Sequence, residues 1–140
     1  MRALSFSQPW LWAVLYAGKH IENRTWAPPT EMIGQSIALH AAKSWDGAGI
    51  SYMCKLGIQH PGRRDLYPAS CIVGVATIDY VRTSAEGFPP DQRKWFFGPF
   101  GWFLSDIRIL PVTVPATGKL GLWHVSDVDL VAIHAQLEAA

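Results

Sequence analysis

The sequence predicts an α+β domain in which short strands form a mixed sheet and two or three helices pack against it. Three observations support this prediction. The chain has 140 residues, a length that suits one compact domain around a single hydrophobic core. Hydrophobic residues make up 49% of it, which excludes a mainly disordered chain. Alternating or β-branched runs separated by Gly and Pro indicate strands, and apolar residues at helical spacing indicate helices.

The N-terminal part of the chain predicts a strand, a helix and a second strand. Residues 2–6 alternate in hydrophobicity, as a short strand does. Ser7 is predicted to cap a helix whose apolar stripe ends at Gly18. Residues 20–26 alternate again and therefore predict a second strand.

The middle of the chain predicts two strands with a weak helix between them. Residues 36–41 are typical of a buried strand, and residues 44–56 predict a helix. Two glycines inside that helix weaken it by about 1 kcal/mol each relative to alanine. Residues 71–81 are β-branched and apolar and form the clearest strand of the sequence.

The C-terminal part begins with an aromatic block, residues 95–103, which runs into an extended segment at 104–110. A short strand is predicted at 122–125. Ser126 and Asp129 have the spacing of a helix N-terminus and predict a final amphipathic helix. No repeat or linker-like tract divides residues 1–140, so we expect a single domain. We expect its sheet to curl into a small barrel, although periodicity alone does not fix the closure.

Charge and cysteine content limit the classes of partner and compartment. The chain has 12 Lys+Arg and 11 Asp+Glu, which argues against a strongly basic protein that coats long nucleic acids but leaves a local basic cleft open. Cys54 and Cys71 do not form a disulfide framework and are typical of a reducing compartment. No apolar run approaches the roughly 18 residues of a membrane-spanning helix. We therefore expect a cytoplasmic protein with no membrane partner.

Metal and cofactor motifs are not found in the sequence. The five histidines are scattered without the spacing that places two ligands on one face, so no metal is expected. The glycine-rich segments lack the length and the following helix of a phosphate-binding loop. No nucleophile elbow occurs either. We expect no cofactor.

The most informative segment combines residues 7–10 with residues 18–26. The second part is rich in polar and charged side chains between the end of a helix and a strand that would otherwise be core. Lys19 and Arg24 supply cationic donors, Glu22 can accept from an exocyclic amine, and nearby tryptophans offer flat faces. A pocket for an unstacked base needs these parts. The structural alternative is an ordinary Glu22–Arg24 ion pair on one face of a strand, with tryptophan in the core.

Residues 17–24 resemble the signature of the ASCH domain family, G-x-K-x-x-E-x-R. Lys19, Glu22 and Arg24 match it in spacing, and Ala17 stands at the place of its first glycine. Further segments that resemble one bacterial and phage ASCH subgroup are residues 4–10, 40–43, 72–77, 101–105 and 118–123. The resemblance implies a PUA-like fold: a small mixed-strand pseudo-barrel with flanking helices. It also implies a cleft that binds RNA, another single strand or a modified nucleobase.

What the resemblance implies for the site is a cleft lined by Lys19, Glu22 and Arg24, with Arg24 closing it through an ion pair. His40 and Lys43 would extend a basic rim. Together, the informative segment and the resemblance give the candidate nucleic-acid or ligand-binding set, which is Ser7, Gln8, Trp10, Lys19, Glu22, Asn23, Arg24, Trp26, His40, Lys43, Trp102, Ser105 and Trp123. For His40, Trp102 and Trp123 a place in the core is the open alternative.

Two other functions compete with binding of RNA, single-stranded nucleic acid or a nucleoside. The first is an RNA-processing hydrolase, either a ribonuclease or a nucleoside amidohydrolase, with Lys19 and Glu22 as its catalytic acid/base pair. Glu22 stands where the amidohydrolase subgroup has threonine, so the hydroxyl nucleophile of that chemistry is missing. The second is a protein-interaction module that uses the Trp-rich block 95–103 as its surface.

Overall fold

The computed structural model describes residues 1–139, which form a mixed sheet with helices packed on it. The strands are β1 (Arg2–Gln8), β2 (Ile21–Arg24), β3 (Ser36–Trp45), β4 (Cys71–Arg82), β5 (Phe100–Pro115) and β6 (Leu122–His124). The α-helices are α1 (Trp10–Tyr16), α2 (Gly47–Lys55) and α3 (Asp127–Ala139). Short 3-10 turns lie at Thr30–Met32, Arg64–Leu66, Ala85–Gly87 and Pro90–Trp95.

The strand order in the sheet is β2-β5-β4-β3-β1-β6. β1 and β3 are parallel, and the other neighbouring strands are antiparallel. The predicted α+β class with a mixed sheet is therefore confirmed. The prediction that the sheet closes into a barrel is wrong, because within residues 1–139 β2 and β6 lie at opposite edges of the sheet and do not pair. These edge strands have four and three residues, and each pairs with a single neighbour.

Strand pairing extends two of the predicted strands. β1 continues to Gln8 and β3 to Trp45, and these two residues face each other in the parallel pair. Ser7 consequently lies inside β1, so its predicted role as a helix cap is wrong. Helix α1 begins after Pro9, which provides no side-chain cap. Instead, Gln8 Oε1 accepts at 2.9 Å from the Trp12 N–H, which lies in the first turn and has no partner within the helix.

The C-terminal helix follows its predicted signal. Ser126 Oγ accepts from the backbone N–H of Asp129 at 3.2 Å, and α3 begins at Asp127. Ile133 of this helix is fully buried in a cluster that also contains Trp123. Among residues 1–139, no helix combines the length and hydrophobicity needed to cross a membrane.

The aromatic block 95–103 contributes mainly to the core. Trp95 and Trp102 are 1% and 0% exposed. Trp102 packs in the main cluster under α1, whereas Trp95 belongs to a second cluster near α2. Phe97 is the most exposed aromatic side chain in this block, at 50%. The block therefore does not present its tryptophans as a surface for a protein partner.

Candidate functional site

A cavity of about 650 Å³ lies between the C-terminal part of β1, strand β2 and helix α2. Its lining residues are Ser5, Ser7, Trp10, Lys19, Glu22, Asn23, Arg24, Ser44, Asp46, Ala48, Tyr52 and Phe97. Half of these were predicted from the sequence: Ser7, Trp10, Lys19, Glu22, Asn23 and Arg24. The cavity has a charged wall, formed by Lys19, Glu22 and Arg24, and an aromatic wall, formed by Trp10, Tyr52 and Phe97.

The charged wall is centred on the Glu22 carboxylate. Glu22 and Arg24 are two positions apart on β2, so their side chains point to the same face. The Arg24 Nη2 and Nε lie 2.9 and 3.1 Å from Glu22 Oε2. Lys19 Nζ lies 3.8 Å from the other carboxylate oxygen, Oε1. One carboxylate therefore neutralises part of the charge of two cations.

Arg24 is also tied to strand β1. Its Nη2 donates a hydrogen bond to the backbone oxygen of Ser5 at 2.5 Å. The side chain is 22% exposed, so the guanidinium is held by protein on one side and reaches solvent on the other. This geometry leaves Arg24 able to meet an anionic ligand at the mouth of the cavity.

Lys19 is the unusual member of the charged wall, because its side chain is only 1% exposed. Its Nζ donates to the backbone oxygen of Ile21 and lies 5.7 Å from the centre of the Trp10 ring. Burial lowers the pKa of Lys19 from its ordinary value of 10.5, the Glu22 carboxylate opposes this shift, and Arg24 adds to it. The result is a desolvated ammonium group that gives up its proton more readily than an exposed lysine.

The aromatic wall brings together three rings from separate parts of the chain. The ring centres of Trp10 and Phe97 are 5.5 Å apart, those of Tyr52 and Phe97 5.2 Å, and those of Trp10 and Tyr52 6.2 Å. Adjacent rings are tilted by 52° to 82° rather than stacked. A planar ligand can therefore lie against one ring face while it contacts the edge of another.

Hydrogen bonds fix the polar ends of these rings. Trp10 Nε1 donates to Asp46 Oδ2 at 2.8 Å, and the Tyr52 hydroxyl donates to the backbone oxygen of Lys94. Asp46 also accepts from the Ala48 N–H at 3.1 Å and so caps helix α2. With their polar groups paired, Trp10 and Tyr52 offer mainly their apolar faces to the cavity.

Asn23 connects the two walls. Its Nδ2 donates to the backbone oxygen of Trp95 at 3.0 Å, and its Oδ1 accepts from the N–H groups of Phe97 and Gly98 at 2.7 and 3.0 Å. The amide of Asn23 therefore holds the segment that carries Phe97 beside β2. Asn23 lines the cavity, but its amide is used to position this segment.

Helix α2 approaches α1 closely at Gly49. A Cβ atom on Gly49 would lie 2.8 Å from Pro9 Cγ and 3.2 Å from Trp10 Cε2. The glycine that weakens the predicted helix thus permits the contact that places α2, and with it Tyr52, next to Trp10.

Four of the predicted residues lie outside the cavity lining. Gln8 caps α1 and donates to the backbone oxygen of Pro68 at 3.2 Å. Trp26 packs edge-on against Trp102 at 4.9 Å and accepts from its Nε1 through the backbone oxygen at 3.1 Å. Ser105 lies on β5 opposite Thr77 of β4.

Three further predicted residues, His40, Lys43 and Trp123, lie at or below a second groove of about 600 Å³. His40 and Lys43 line this groove, and its wall includes Ser5 and Arg24. His40 is 1% exposed, and its ring nitrogens pair with Ser5 Oγ at 2.9 Å and with the Ala116 oxygen at 2.7 Å. The Trp123 Nε1 donates to the same Ser5 Oγ at 3.2 Å. His40 and Trp123 are thus buried supports of the groove rather than free ligand groups.

Sequence reasoning missed several lining residues of the cavity, namely Ser5, Ser44, Asp46, Ala48, Tyr52 and Phe97. Asp46 had a usable signal, because aspartate is a typical N-cap residue and lies near the start of the predicted helix 44–56; in the structure α2 begins at Gly47, directly after it. Tyr52 and Phe97 had none, since their approach to Trp10 depends on tertiary packing. Within the described residues, no group of three or more His, Cys, Asp or Glu side chains is arranged to hold a metal ion.

These elements define the class of fold, an α+β domain with a six-stranded mixed sheet. The chain is similar to the solved structure of ASCH from Zymomonas mobilis, with a TM-score of 0.57, 10% sequence identity, and coverage of 96% of this chain and 93% of that chain. Two single-residue variants of the same ASCH protein give TM-scores of 0.56 and 0.53, also at 10% identity. They cover 96% of this chain and 94% and 96% of theirs.

Sequence comparisons give no further relatives: no protein-family model and no curated protein matches this chain. At 10% identity, the structural similarity shows a common fold. It extends over nearly the whole of both chains, so the resemblance to the ASCH family is supported at the level of the fold.

Proposed function

We propose that this protein binds RNA, or another single-stranded nucleic acid, by holding one unstacked base in the cavity between the charged and aromatic walls. The observation that supports this most directly is the pairing of the two walls around one cavity of about 650 Å³. An unstacked base needs a ring face for stacking, hydrogen-bonding groups for its edge, and a cation for its phosphate. The cavity combines all three kinds of group.

Each wall has a distinct part in the proposed complex. The base stacks against the aromatic wall, where the half-exposed Phe97 ring is the most accessible face. Glu22 accepts from an exocyclic amine at Oε1, because both Arg24 nitrogens contact Oε2 and Lys19 Nζ, 3.8 Å from Oε1, is beyond hydrogen-bond distance. Arg24, at the mouth, contacts a phosphate. A modified base fits the same scheme if its added group points out of the cavity.

The comparison with known structures supports this proposal through the fold. The chain has the fold of the ASCH protein from Zymomonas mobilis, and the residues that match the ASCH signature line the cavity. The proposed function thus joins a resemblance in sequence with a site in the structure, two arguments that rest on different observations.

Hydrolysis of the bound nucleotide is a second candidate, and the observation that favours it is the state of Lys19. Burial lowers the pKa of Lys19, and the Glu22 carboxylate lies 3.8 Å from its Nζ. A lysine that loses its proton more readily can act as a general base toward a hydroxyl or a water molecule. The two candidates share one cavity and differ in whether the ligand is released unchanged.

Binding is tested with a fluorescently labelled single-stranded RNA, its abasic counterpart and the matched DNA. We expect the abasic strand to bind about 5-fold to 150-fold more weakly than the intact strand, because it lacks the stacking contact of one base. Arg24→Gln should weaken binding of the intact strand about tenfold or more. The matched control is Arg82→Gln, which removes the same charge from an exposed residue outside the cavity and the groove.

Equal losses for Arg24→Gln and Arg82→Gln, with no preference for the intact strand, would contradict the proposal, because net charge alone would then explain the binding. The hydrolase candidate is tested by incubating the RNA and acylated nucleosides with the wild type and with Lys19→Met. Product formed by the wild type and not by Lys19→Met would favour the enzyme. Unchanged ligand in both reactions would favour the binding protein.

A further inference from the structure

The second groove continues directly from the cavity. It has a volume of about 600 Å³ and shares Ser5, Arg24 and Ser44 with the cavity. Its outer wall is the segment 117–121, which connects the end of β5 to β6. Arg24 therefore lies on the boundary, with the aromatic cavity on one side and the groove on the other.

The groove and the cavity differ in their charge. The cationic residues of the groove are Arg24, Lys43 and Lys119, and no aspartate or glutamate is among its lining residues. In the cavity, by contrast, Glu22 and Asp46 offset Lys19 and Arg24. Lys43 and Lys119 are exposed, and neither forms an ion pair within residues 1–139. Their charge is thus available to a ligand.

The groove also differs in shape and chemistry from a base-binding site. No tryptophan, tyrosine or phenylalanine lines it, and the His40 ring in its floor is only 1% exposed, so it offers no open ring face for stacking. Its polar lining includes the hydroxyl-bearing residues Ser44, Ser70 and Thr117. Hydroxyl groups and lysines without acidic neighbours are the side chains that commonly contact phosphate oxygens.

The floor of the groove is a chain of paired buried groups. The Ala116 oxygen can only accept, so the His40 Nε2 carries the hydrogen of their 2.7 Å bond. His40 Nδ1 is hydrogen-bonded to the Ser5 hydroxyl at 2.9 Å, and the oxygen of that hydroxyl accepts from Trp123 Nε1 at 3.2 Å. The buried polar groups of the floor are thus paired with one another and with the backbone.

Gly118 holds the outer wall against this floor. A Cβ atom at position 118 would lie 2.7 Å from His40 Cε1 and 2.8 Å from Ser5 Oγ. Only glycine lets the backbone pass so close, and the next residue, Lys119, is thereby kept beside the groove. The position of this lysine follows from packing of the backbone.

We infer that the groove binds the phosphodiester backbone next to the nucleotide whose base occupies the cavity. The inference rests on the proposed function and adds the ligand class: a strand with at least one flanking phosphate, in preference to a free nucleoside. Arg24 contacts the phosphate at the boundary, and Lys43 and Lys119 contact the backbone beyond it. The cavity supplies base contacts, and the groove supplies affinity that depends on salt.

The test compares the double variant Lys43→Gln/Lys119→Gln with the wild type, using the labelled single-stranded RNA at several salt concentrations. For single strands, each phosphate contact contributes about 0.7 to the slope of log K against log salt. We therefore expect the slope of the double variant to be smaller by about 1.4. Binding of the corresponding free nucleosides should not change. The control is Lys55→Gln/Arg82→Gln, which removes two exposed charges outside both sites.

The outcomes separate this inference from the proposed function. If Phe97→Leu weakens binding but the two double variants have the same salt slope, the groove is not a phosphate site, and the base-binding proposal stands. Equal affinity of the wild type for the strand and for the free nucleoside would also overturn the inference. If the intact and abasic strands bind alike, the proposed function itself fails. Because both lysines are exposed, the variants should keep the wild-type melting temperature, which serves as the check on folding.

Discussion

The two walls of the cavity are built in different ways. The charged wall comes from a single segment, residues 19–24, and its three charged side chains meet because β2 alternates and begins two residues after Lys19. The aromatic wall combines residues 10, 52 and 97, which meet only after α1, α2 and the segment before β5 have packed together. A short motif can therefore encode the charge of a site while its shape depends on the whole fold.

The walls also differ in how they affect the stability of the folded protein. The charged wall takes a lysine and a glutamate out of water, and their attraction must offset the lost hydration. The aromatic wall leaves Phe97 half-exposed and gains stability from the contacts among its rings. We therefore expect loss of the Glu22 carboxylate to act mainly on stability and loss of the Phe97 ring to act mainly on binding.

The largest effect is expected for Glu22→Leu. This change leaves Lys19 buried without its carboxylate partner, and breaking a buried pair in this way typically costs about 3–5 kcal/mol of unfolding free energy. Urea denaturation measures this loss. The matched control is Asp65→Leu, which breaks the Arg63–Asp65 pair. That pair has the same i,i+2 spacing as Glu22 and Arg24, but its side chains are 73% and 63% exposed. That pair should contribute less than about 1 kcal/mol. Similar losses for the two variants would show that burial of Glu22 does not matter.

A smaller effect, on binding alone, is expected for Phe97→Leu. The leucine keeps an apolar side chain but removes the ring face, and one stacking contact is worth about 1–3 kcal/mol. The affinity for the labelled RNA should fall accordingly, while the melting temperature stays within a few degrees of the wild type because Phe97 is half-exposed. A melting temperature that falls strongly while binding is unchanged would assign Phe97 to the core instead.

The smallest effect at neutral pH is expected for Lys19→Met. Methionine is similar in length and removes the cost of a buried charge, and this gain offsets the hydrogen bond lost at the Ile21 oxygen. The difference appears at alkaline pH. Burial lowers the pKa of Lys19 in the folded state, so the unfolded chain binds more protons between that pKa and 10.5. The contribution of Lys19 to the unfolding free energy therefore rises with pH across this interval.

The measurement is the unfolding free energy of the wild type minus that of Lys19→Met, determined at a series of pH values up to about 10.5. The subtraction is needed because burial raises the pKa of Tyr67 and of Tyr80, whose contributions change in the opposite direction at high pH. A difference that does not change with pH would mean that Lys19 has an ordinary pKa in the folded protein.

The same contrast explains how much could be predicted from the sequence. The alternation of residues 20–26 and the spacing of Lys19, Glu22 and Arg24 are local, and both β2 and the charged wall follow from them. Burial of Lys19 could not be predicted, because lysine is nearly always exposed. Nor could the place of Trp102, since a tryptophan beside glycines suits a ligand-binding wall as well as a core.

The errors in the predicted fold arise because local sequence patterns do not show which distant strands pair. Serine is a preferred residue at a helix N-cap, but pairing of β1 with β3 keeps the chain extended through Ser7 to Gln8. Barrel closure depends on whether the edge strands β2 and β6 meet, and local periodicity contains no information about that contact. The α+β class, by contrast, depends only on which segments are strands or helices, and it was predicted.

The close approach at Gly49 limits how this protein can be made more heat-resistant. Replacing a helical glycine with alanine usually increases stability by roughly 0.4–1 kcal/mol, since the unfolded chain loses freedom. At Gly47 there is room for the added methyl group, whose nearest neighbour would be 3.8 Å away. At Gly49 the same methyl group would push α2 away from Pro9 and Trp10. An engineer who screens both glycines should therefore keep the first replacement and reject the second, because the second disturbs the contact that places α2 and Tyr52 next to Trp10.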